Sequence, residues 1–239
     1  MLNTIPNVQE IASMIDHSLL HPTFTDKDIV QGCDVAIKWK VASVCVKPYA
    51  IKITHKLLEN SGVKTCTVIG FPHGSHSTKT KIDEAHYAIS EGATELDMVI
   101  NIGKTLCFDW EYVADEIGEI NNICTTNKSM LKVIFENDYL TDDSLKIKLT
   151  EICRHLDVAY VKTSTGYGYV KQPNGFFQTK GATLQDCALM VKHAGPKMKV
   201  KAAGGIRTPK DIFNFKALGV TRFGTTATDQ ILSELSGIR

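Results

Sequence analysis

Neither sign of charge dominates this 239-residue chain: 27 Lys and Arg stand against 26 Asp and Glu, a formal net charge of +1. A near-neutral chain lacks the global electrostatic footprint of a nucleic-acid binder or of a protein held on an anionic membrane. No uninterrupted apolar run approaches the roughly 20 residues that span a bilayer. The first twenty residues, MLNTIPNVQEIASMIDHSLL, have no basic segment followed by a long apolar run, so no secretory signal is expected. Cys33, Cys45, Cys66, Cys107, Cys124, Cys153 and Cys187 are odd in number and contain no C-x-x-C pair. That argues against a disulfide framework or a zinc site and predicts reduced thiols in a cytoplasmic protein. Literal repeats, low-complexity segments and domain-sized linkers are also missing. What remains is an ordinary globular composition, 43% apolar and 22% charged, with material for a sizeable core.

What is present alternates. Runs rich in Val and Ile, bounded by Gly, Pro, Ser or Thr, predict strands at Met14–His17, Val41–Val46, Lys64–Ile69, Glu95–Ile100, Leu131–Phe135, Val158–Lys162, Met198–Ala202 and Thr221–Gly224. Stretches with a 3.6-residue pattern predict helices over Thr25–Lys38, Ser77–Glu91, Asp109–Asn121, Asp142–His155, Leu184–His193 and Pro209–Leu218. Thr25 before an acidic turn, Pro209 at a helix start and Gly92 and Gly219 past helix ends are placed as helix punctuation requires. A strand–helix unit recurs about every 30 residues, the rhythm of eight units in a barrel of this length. The expected fold is α/β, a single (β/α)8 barrel over residues 1–239 with a short N-terminal helix. A doubly wound open sheet is the alternative.

In either architecture ligands gather at the C-terminal ends of the strands. Buried strands should be nearly continuous apolar runs, and three charges interrupt them. Lys162 closes AYVK before Thr163, Ser164, Thr165 and Gly166. Lys201 lies within MKVKAAGG, and Asp97 within ELDMV. Singly, a strand lysine snorkels to water or pairs with a carboxylate, and a strand aspartate is a satisfied structural group. Together they make a poor core, because unpaired buried charges are expensive, but a useful site for carbonyl chemistry. Only a neutral amine forms an imine, and an ordinary lysine at pH 7 is neutral in roughly one molecule in 2,500. A second ammonium about 5 Å away costs the charged form about 3 kcal/mol, and desolvation adds to this. A carboxylate beside them can move protons.

Gly204–Gly205 after the seventh strand and Gly224–Thr225–Thr226 after the eighth stand where such barrels commonly cradle phosphate on backbone N–H groups. Gly-Gly alone reads equally as a turn. Lys132 and Glu136 share a strand face and are expected to pair in the mouth, as a structural ion pair or as a proton relay. His73 and His76 read as loop residues, for want of a third ligand. Cys45 reads as a buried strand thiol or as one facing the site.

These segments are similar, in order and over nearly the whole chain, to the deoxyribose-phosphate aldolases, class I aldolases on a (β/α)8 barrel. The resemblance is carried by IDHSLL (15–20), SVCVKP (43–48), VIGFPHG (68–74), ELDMVINIG (95–103), LKVIFE (131–136), VKTSTGYG (161–168), VKAAGGIRT (200–208) and TRFGTT (221–226). It implies that Lys162 carries the Schiff base, Asp97 relays protons and Lys201 perturbs the first lysine. Asp16 resembles a residue lining the substrate pocket, and Gly204, Gly205 and Gly224 match the phosphate-binding loops; with Lys132, Gly166, Thr225 and Thr226 they make up the expected substrate-binding set. The implied reaction is reversible cleavage of 2-deoxy-D-ribose 5-phosphate to D-glyceraldehyde 3-phosphate and acetaldehyde, in deoxynucleoside catabolism, with no metal or organic cofactor.

The expected partner is thus a small sugar phosphate, with no nucleic acid and no membrane; a homo-oligomer is allowed. Three departures stand out. Tyr167 occupies a position where some members carry lysine, Thr226–Ala227 replace two serines, and SELSGIR ends the chain without a terminal tyrosine. The rival readings are another sugar-phosphate aldolase or isomerase on the same barrel, and a non-catalytic barrel that binds a sugar phosphate.

Overall fold

The eight β-branched runs pair in parallel and close on themselves. The computed structural model describes residues 7–237; expectations read from Met1–Pro6 and from Ile238–Arg239 lie outside them. The strands are β1 (Ile15–Leu19), β2 (Ser43–Val46), β3 (Lys64–Ile69), β4 (Glu95–Val99), β5 (Met130–Ile134), β6 (Tyr160–Lys162), β7 (Lys199–Ala203) and β8 (Arg222–Thr225). Each bonds to its sequence neighbours, and β8 returns to β1 through the register Ile15↔Phe223. The open-sheet alternative is thereby excluded.

Helices α1 (Val8–Ala12), α2 (Asp26–Trp39), α3 (Ile51–Leu57), α4 (Thr78–Ser90), α5 (Ile102–Leu106), α6 (Trp110–Thr126), α7 (Asp143–His155), α8 (Leu184–Ala194), α9 (Pro209–Ala217) and α10 (Thr228–Ser236) accompany the strands. The Thr25 start signal is realised as a capping box with Asp28, and Thr208 forms another with Asp211 ahead of Pro209. Helices α3, α5 and α10 were not expected. The first is seven residues rich in β-branched side chains, the second has five residues, and α10 starts at Ala227 without a side-chain cap. Residues 163–183 form a long β6–α8 connection with a small antiparallel hairpin pairing Val170–Lys171 with Phe177–Gln178.

Alternation along each strand separates two environments. In β4, Leu96 and Met98 join the apolar core beneath the helices, while Glu95 and Asp97 bond to groups inside the barrel. Beside the end of β4, Lys81 of α4 donates at 2.8 Å both to Glu116 of α6 and to the Val99 carbonyl, with both charged side chains fully buried. Burial pulls the Lys81 amine down and pushes the Glu116 carboxyl up, each toward its neutral form. Breaking a buried pair costs far more than the pair contributes. Lys81→Met is therefore expected to lower stability by about 3–5 kcal/mol, and Lys81→Met with Glu116→Leu to recover most of that. Urea unfolding midpoints at pH 7 for the two variants check this.

Candidate active site

The charges that interrupt the apolar strands meet inside the barrel near the C-terminal ends of its strands. Lys162 at the end of β6 stands in register with Lys201 of β7. Both donate to one oxygen of Asp97, Oδ2, at 2.8 and 2.7 Å, so the two nitrogens lie no farther apart than those two bonds allow. The other oxygen, Oδ1, accepts from Lys132 at 2.7 Å and from the Cys66 thiol at 3.4 Å. Lys201 also bonds Asp16, which accepts from Ser43 at 2.6 Å and from Arg222 at 2.8 Å. Lys132 lies 2.7 Å from Glu95 and 3.5 Å from Asp16, and Arg222 reaches Glu95 at 3.4 Å with Tyr160 beside its guanidinium.

This cluster sets four cations, Lys132, Lys162, Lys201 and Arg222, against three carboxylates, Asp16, Glu95 and Asp97. Burial pushes Asp97 and Asp16 up, but the surrounding ammoniums outweigh it and hold both below the usual carboxylate range. Burial likewise pulls Lys132 and Lys201 down, and Asp16 and Asp97 more than reverse it, holding both above the ordinary lysine range. By sign, the two aspartates lose their contribution only in strong acid and the two lysines only in strong base, so these pairs persist across neutral pH. Lys162 bonds one carboxylate, against two for Lys201 and three for Lys132.

A cavity of about 390 Å³ opens over the cluster. Lys162, Lys201, Asp16 and Cys45 form part of its lining, together with Leu20, Thr165, Gly166 and Tyr167. Gly204, Gly205, Ile206, Arg207, Gly224, Thr225 and Thr226 complete another part. Gly204 and Gly205 both have positive φ, 88° and 81°, and a Cβ on Gly204 would stand 2.8 Å from Gly181 Cα. The turn thus depends on glycine at a close backbone approach.

The structure brings together most of the expected residues and moves two of them. Asp97 and Lys132 are fully buried and are not part of the cavity lining, so Lys132 lies below the space where a substrate would sit. The expected Lys132–Glu136 pair does not form. Strand β5 ends at Ile134, and Glu136 has φ 54°, a left-handed turn that interrupts the alternation and sends its carboxyl to Thr165. His73 and His76 are exposed in the loop after β3, as read, and Cys45 faces the cavity. Tyr167 lines the cavity with its ring edge-on to Phe71, 5.5 Å between centroids. Sequence reasoning missed Arg222 and Glu95 as parts of the cluster and Arg207 at the cavity. A charge inside the run TRFG, and a second carboxylate two residues before Asp97, are the same signals that found the others.

A sequence profile described as DeoC/LacD family aldolase matches residues 11–215. The chain belongs to that family. This aldolase is 47% identical over 225 residues to a deoxyribose-phosphate aldolase of Rhodopirellula baltica, covering 94% of this chain and 89% of the relative. It is 42% identical to that of Thermococcus kodakarensis, covering 95% and 97%. Among solved structures, the tetrameric deoxyribose phosphate aldolase of Aeropyrum pernix superposes with a TM-score of 0.85 at 30% identity, covering 98% of this chain and 94% of that one. An aldolase named QR15 superposes with a TM-score of 0.85 at 32% identity, covering 95% and 96%.

In this aldolase, burial raises the Glu136 carboxyl to about 7, against opposing hydrogen bonds from Thr165. A carboxyl raised on folding stabilises the fold while protonated. That contribution is complete below the unfolded value near pH 4 and is lost as pH rises through 7. Glu136→Gln keeps a neutral side chain at every pH. The stability difference between variant and parent is expected to shift in the variant's favour by about 2 kcal/mol from pH 5 to pH 8. Urea titrations at four pH values across that range check it.

Proposed function

We propose that this aldolase reversibly cleaves 2-deoxy-D-ribose 5-phosphate to D-glyceraldehyde 3-phosphate and acetaldehyde through an imine on Lys162, working as one domain over residues 1–239. The observation that supports the reading is the shared Asp97 oxygen: two lysines that line a cavity of substrate size both donate to one carboxylate oxygen. Of the two lysines that face the cavity, Lys162 has the fewer carboxylate partners. Lys201 stays charged between Asp16 and Asp97.

The open-chain aldehyde carbon, C1, accepts the Lys162 amine and loses water. Because the three-carbon product keeps C3, C4 and C5, the bond that breaks is C2–C3. Its electrons flow into the C1 iminium as the C3 hydroxyl loses its proton. Asp97, reached through Lys162 and Lys201, is the relay for the protons that the cycle moves. Protonation of the enamine at C2 and hydrolysis release acetaldehyde and restore the amine. The iminium is itself the electron sink, so the chemistry calls for no metal or organic cofactor.

The phosphate is assigned to the end of the cavity formed by 204–207 and 224–226, with backbone N–H groups as donors and Arg207 as the nearby cation. With Tyr167 where some family members carry lysine, Arg207 is the side-chain cation at that end of the cavity. The tetrameric relative supports a homo-oligomer. No helix among the described residues is long and apolar enough to cross a membrane. A cytoplasmic setting belongs to the same proposal, supported by seven free thiols.

Two measurements test this. Acetaldehyde with borohydride is expected to attach one reduced two-carbon group to Lys162 and inactivate the enzyme irreversibly. Lys201→Leu is expected to slow trapping by at least about tenfold. A label mapping to Lys201 or Lys132, or turnover without any lysine label, would overturn the assignment. Arg207→Gln is expected to raise KM for the phosphorylated sugar about tenfold, with little change for free deoxyribose. An equal effect on both substrates would move the phosphate elsewhere.

A further inference from the structure

Cys45 on β2 and Cys66 on β3 are register partners on adjacent strands, both pointing into the barrel. Cys45 lines the cavity beside Lys162. Behind it, Cys66 donates to Asp97 Oδ1 at 3.4 Å and accepts from Lys132 at 3.2 Å. Both sulfurs and an Asp97 carboxylate oxygen lie within 4.8 Å of one another. Such a trio of ligand atoms is a poor cation site here, because lysine ammoniums already occupy both oxygens of Asp97. The thiol pair is a different matter. Adjacent strands hold partner Cα atoms about 4.8 Å apart, inside the roughly 4.4–6.8 Å that a disulfide accepts. On the concave face of a barrel the Cβ atoms converge further. None of the steps assigned to the aldol reaction uses either thiol.

We propose that Cys45 and Cys66 are an oxidation site: hydrogen peroxide that enters the substrate cavity converts them to a disulfide and arrests the aldolase. In the first step the Cys45 sulfur attacks one peroxide oxygen, the O–O bond breaks, and Cys45 sulfenic acid and water form. In the second, the Cys66 sulfur attacks the sulfenic sulfur, the S–O bond breaks, and the Cys66 proton leaves with the oxygen as a second water. The peroxide is reduced by two electrons and the thiol pair oxidised by two. The order follows from the surroundings. The neighbouring Cys66 thiol outweighs burial and, with the Lys201 and Lys162 ammoniums, holds the Cys45 thiol below its ordinary range; burial holds Cys66 well above it. Bridging takes from Asp97 the thiol donor at Oδ1 and draws Cys45 out of the cavity wall toward β3. The arrest, though not the bridge, rests on placing the reaction at Lys162.

The test uses the full chain with Cys107→Ser, which removes an exposed thiol. After hydrogen peroxide at pH 7.5 and alkylation, mass mapping is expected to show one intramolecular bridge joining the peptides of Cys45 and Cys66. Along with it, kcat should fall about tenfold or more and return with dithiothreitol. In Cys66→Ala the bridge is expected to be absent, and dimedone, which captures sulfenic acids, should label Cys45 there and not in the parent. A bridge to another cysteine, a Cys45 that remains fully alkylatable after peroxide, or a bridge with unchanged kcat would overturn the proposal. A wrong assignment of Lys162 would show instead as missing borohydride trapping in the reduced enzyme, which leaves the mass result untouched.

Discussion

One carboxylate, that of Asp97, takes the ammonium groups of Lys132, Lys162 and Lys201 on its two oxygens, with no solvent exposure of its own. The interior of such a barrel is ordinarily filled by layers of branched apolar side chains. Here much of the interior below the mouth is ionic, and every charge in it was stripped of water when the chain folded. That is tolerable only if each finds its partners at once. Asp97 thereby ties β4 to β5, β6 and β7, and Asp16 carries the tie across to β1 and β8 through Lys201 and Arg222. The registers that close the barrel and the contacts that assemble the site are one set of constraints.

In the proposed reaction the same cluster gives chemically identical lysines different tasks. Depth and partner number separate them. Lys132 is surrounded by carboxylates and shut off from the cavity, which suits it to holding Asp97 ionised. Lys201 reaches the cavity but is gripped on two sides. Lys162 closes its strand, faces the cavity and leans on Asp97 alone, through the oxygen that Lys201 shares. In the proposed reaction the Lys162 amine keeps Asp97 in contact, with the charge of Lys201 on the same oxygen.

How much of this was legible in the chain follows from what each signal encodes. A charge inside an apolar strand is costly, so Lys162, Lys201 and Asp97 stood out, and alternation gave the side of the sheet correctly. Alternation does not give depth, which is why Lys132 reads as a substrate-binding residue although it is buried outside the cavity lining. Nor does it survive the end of a strand: Glu136 takes a left-handed turn two residues past β5 that nothing in LKVIFEN announces. Arg222 carried the usual signal but was read only as part of the strand Thr221–Gly224. The strand boundaries were close because β-branched runs and Gly or Pro punctuation are local features. Helix α3, only two turns of Ile and Thr among lysines, has no such local signature.

The two helices that follow the Gly204–Gly205 and Gly224–Thr226 turns are capped unequally. The first turn of α9 is already satisfied: Asp211 accepts from the Arg207 and Thr208 N–H groups, and Thr208 accepts from Asp211. That box fixes the turn after Gly204–Gly205 but takes up donors that an anion would otherwise use. Helix α10 begins at Ala227 with no side-chain cap, and its first-turn Asp229 is turned away to Lys38 and Trp39. Uncapped N–H groups at a helix start favour a bound anion. In the proposed reaction, then, α9 supplies a rigid turn and Arg207, while α10 supplies the dipole. The dianion is held at one end of the cavity, and its charge stays off the lysine pair where the carbonyl reacts.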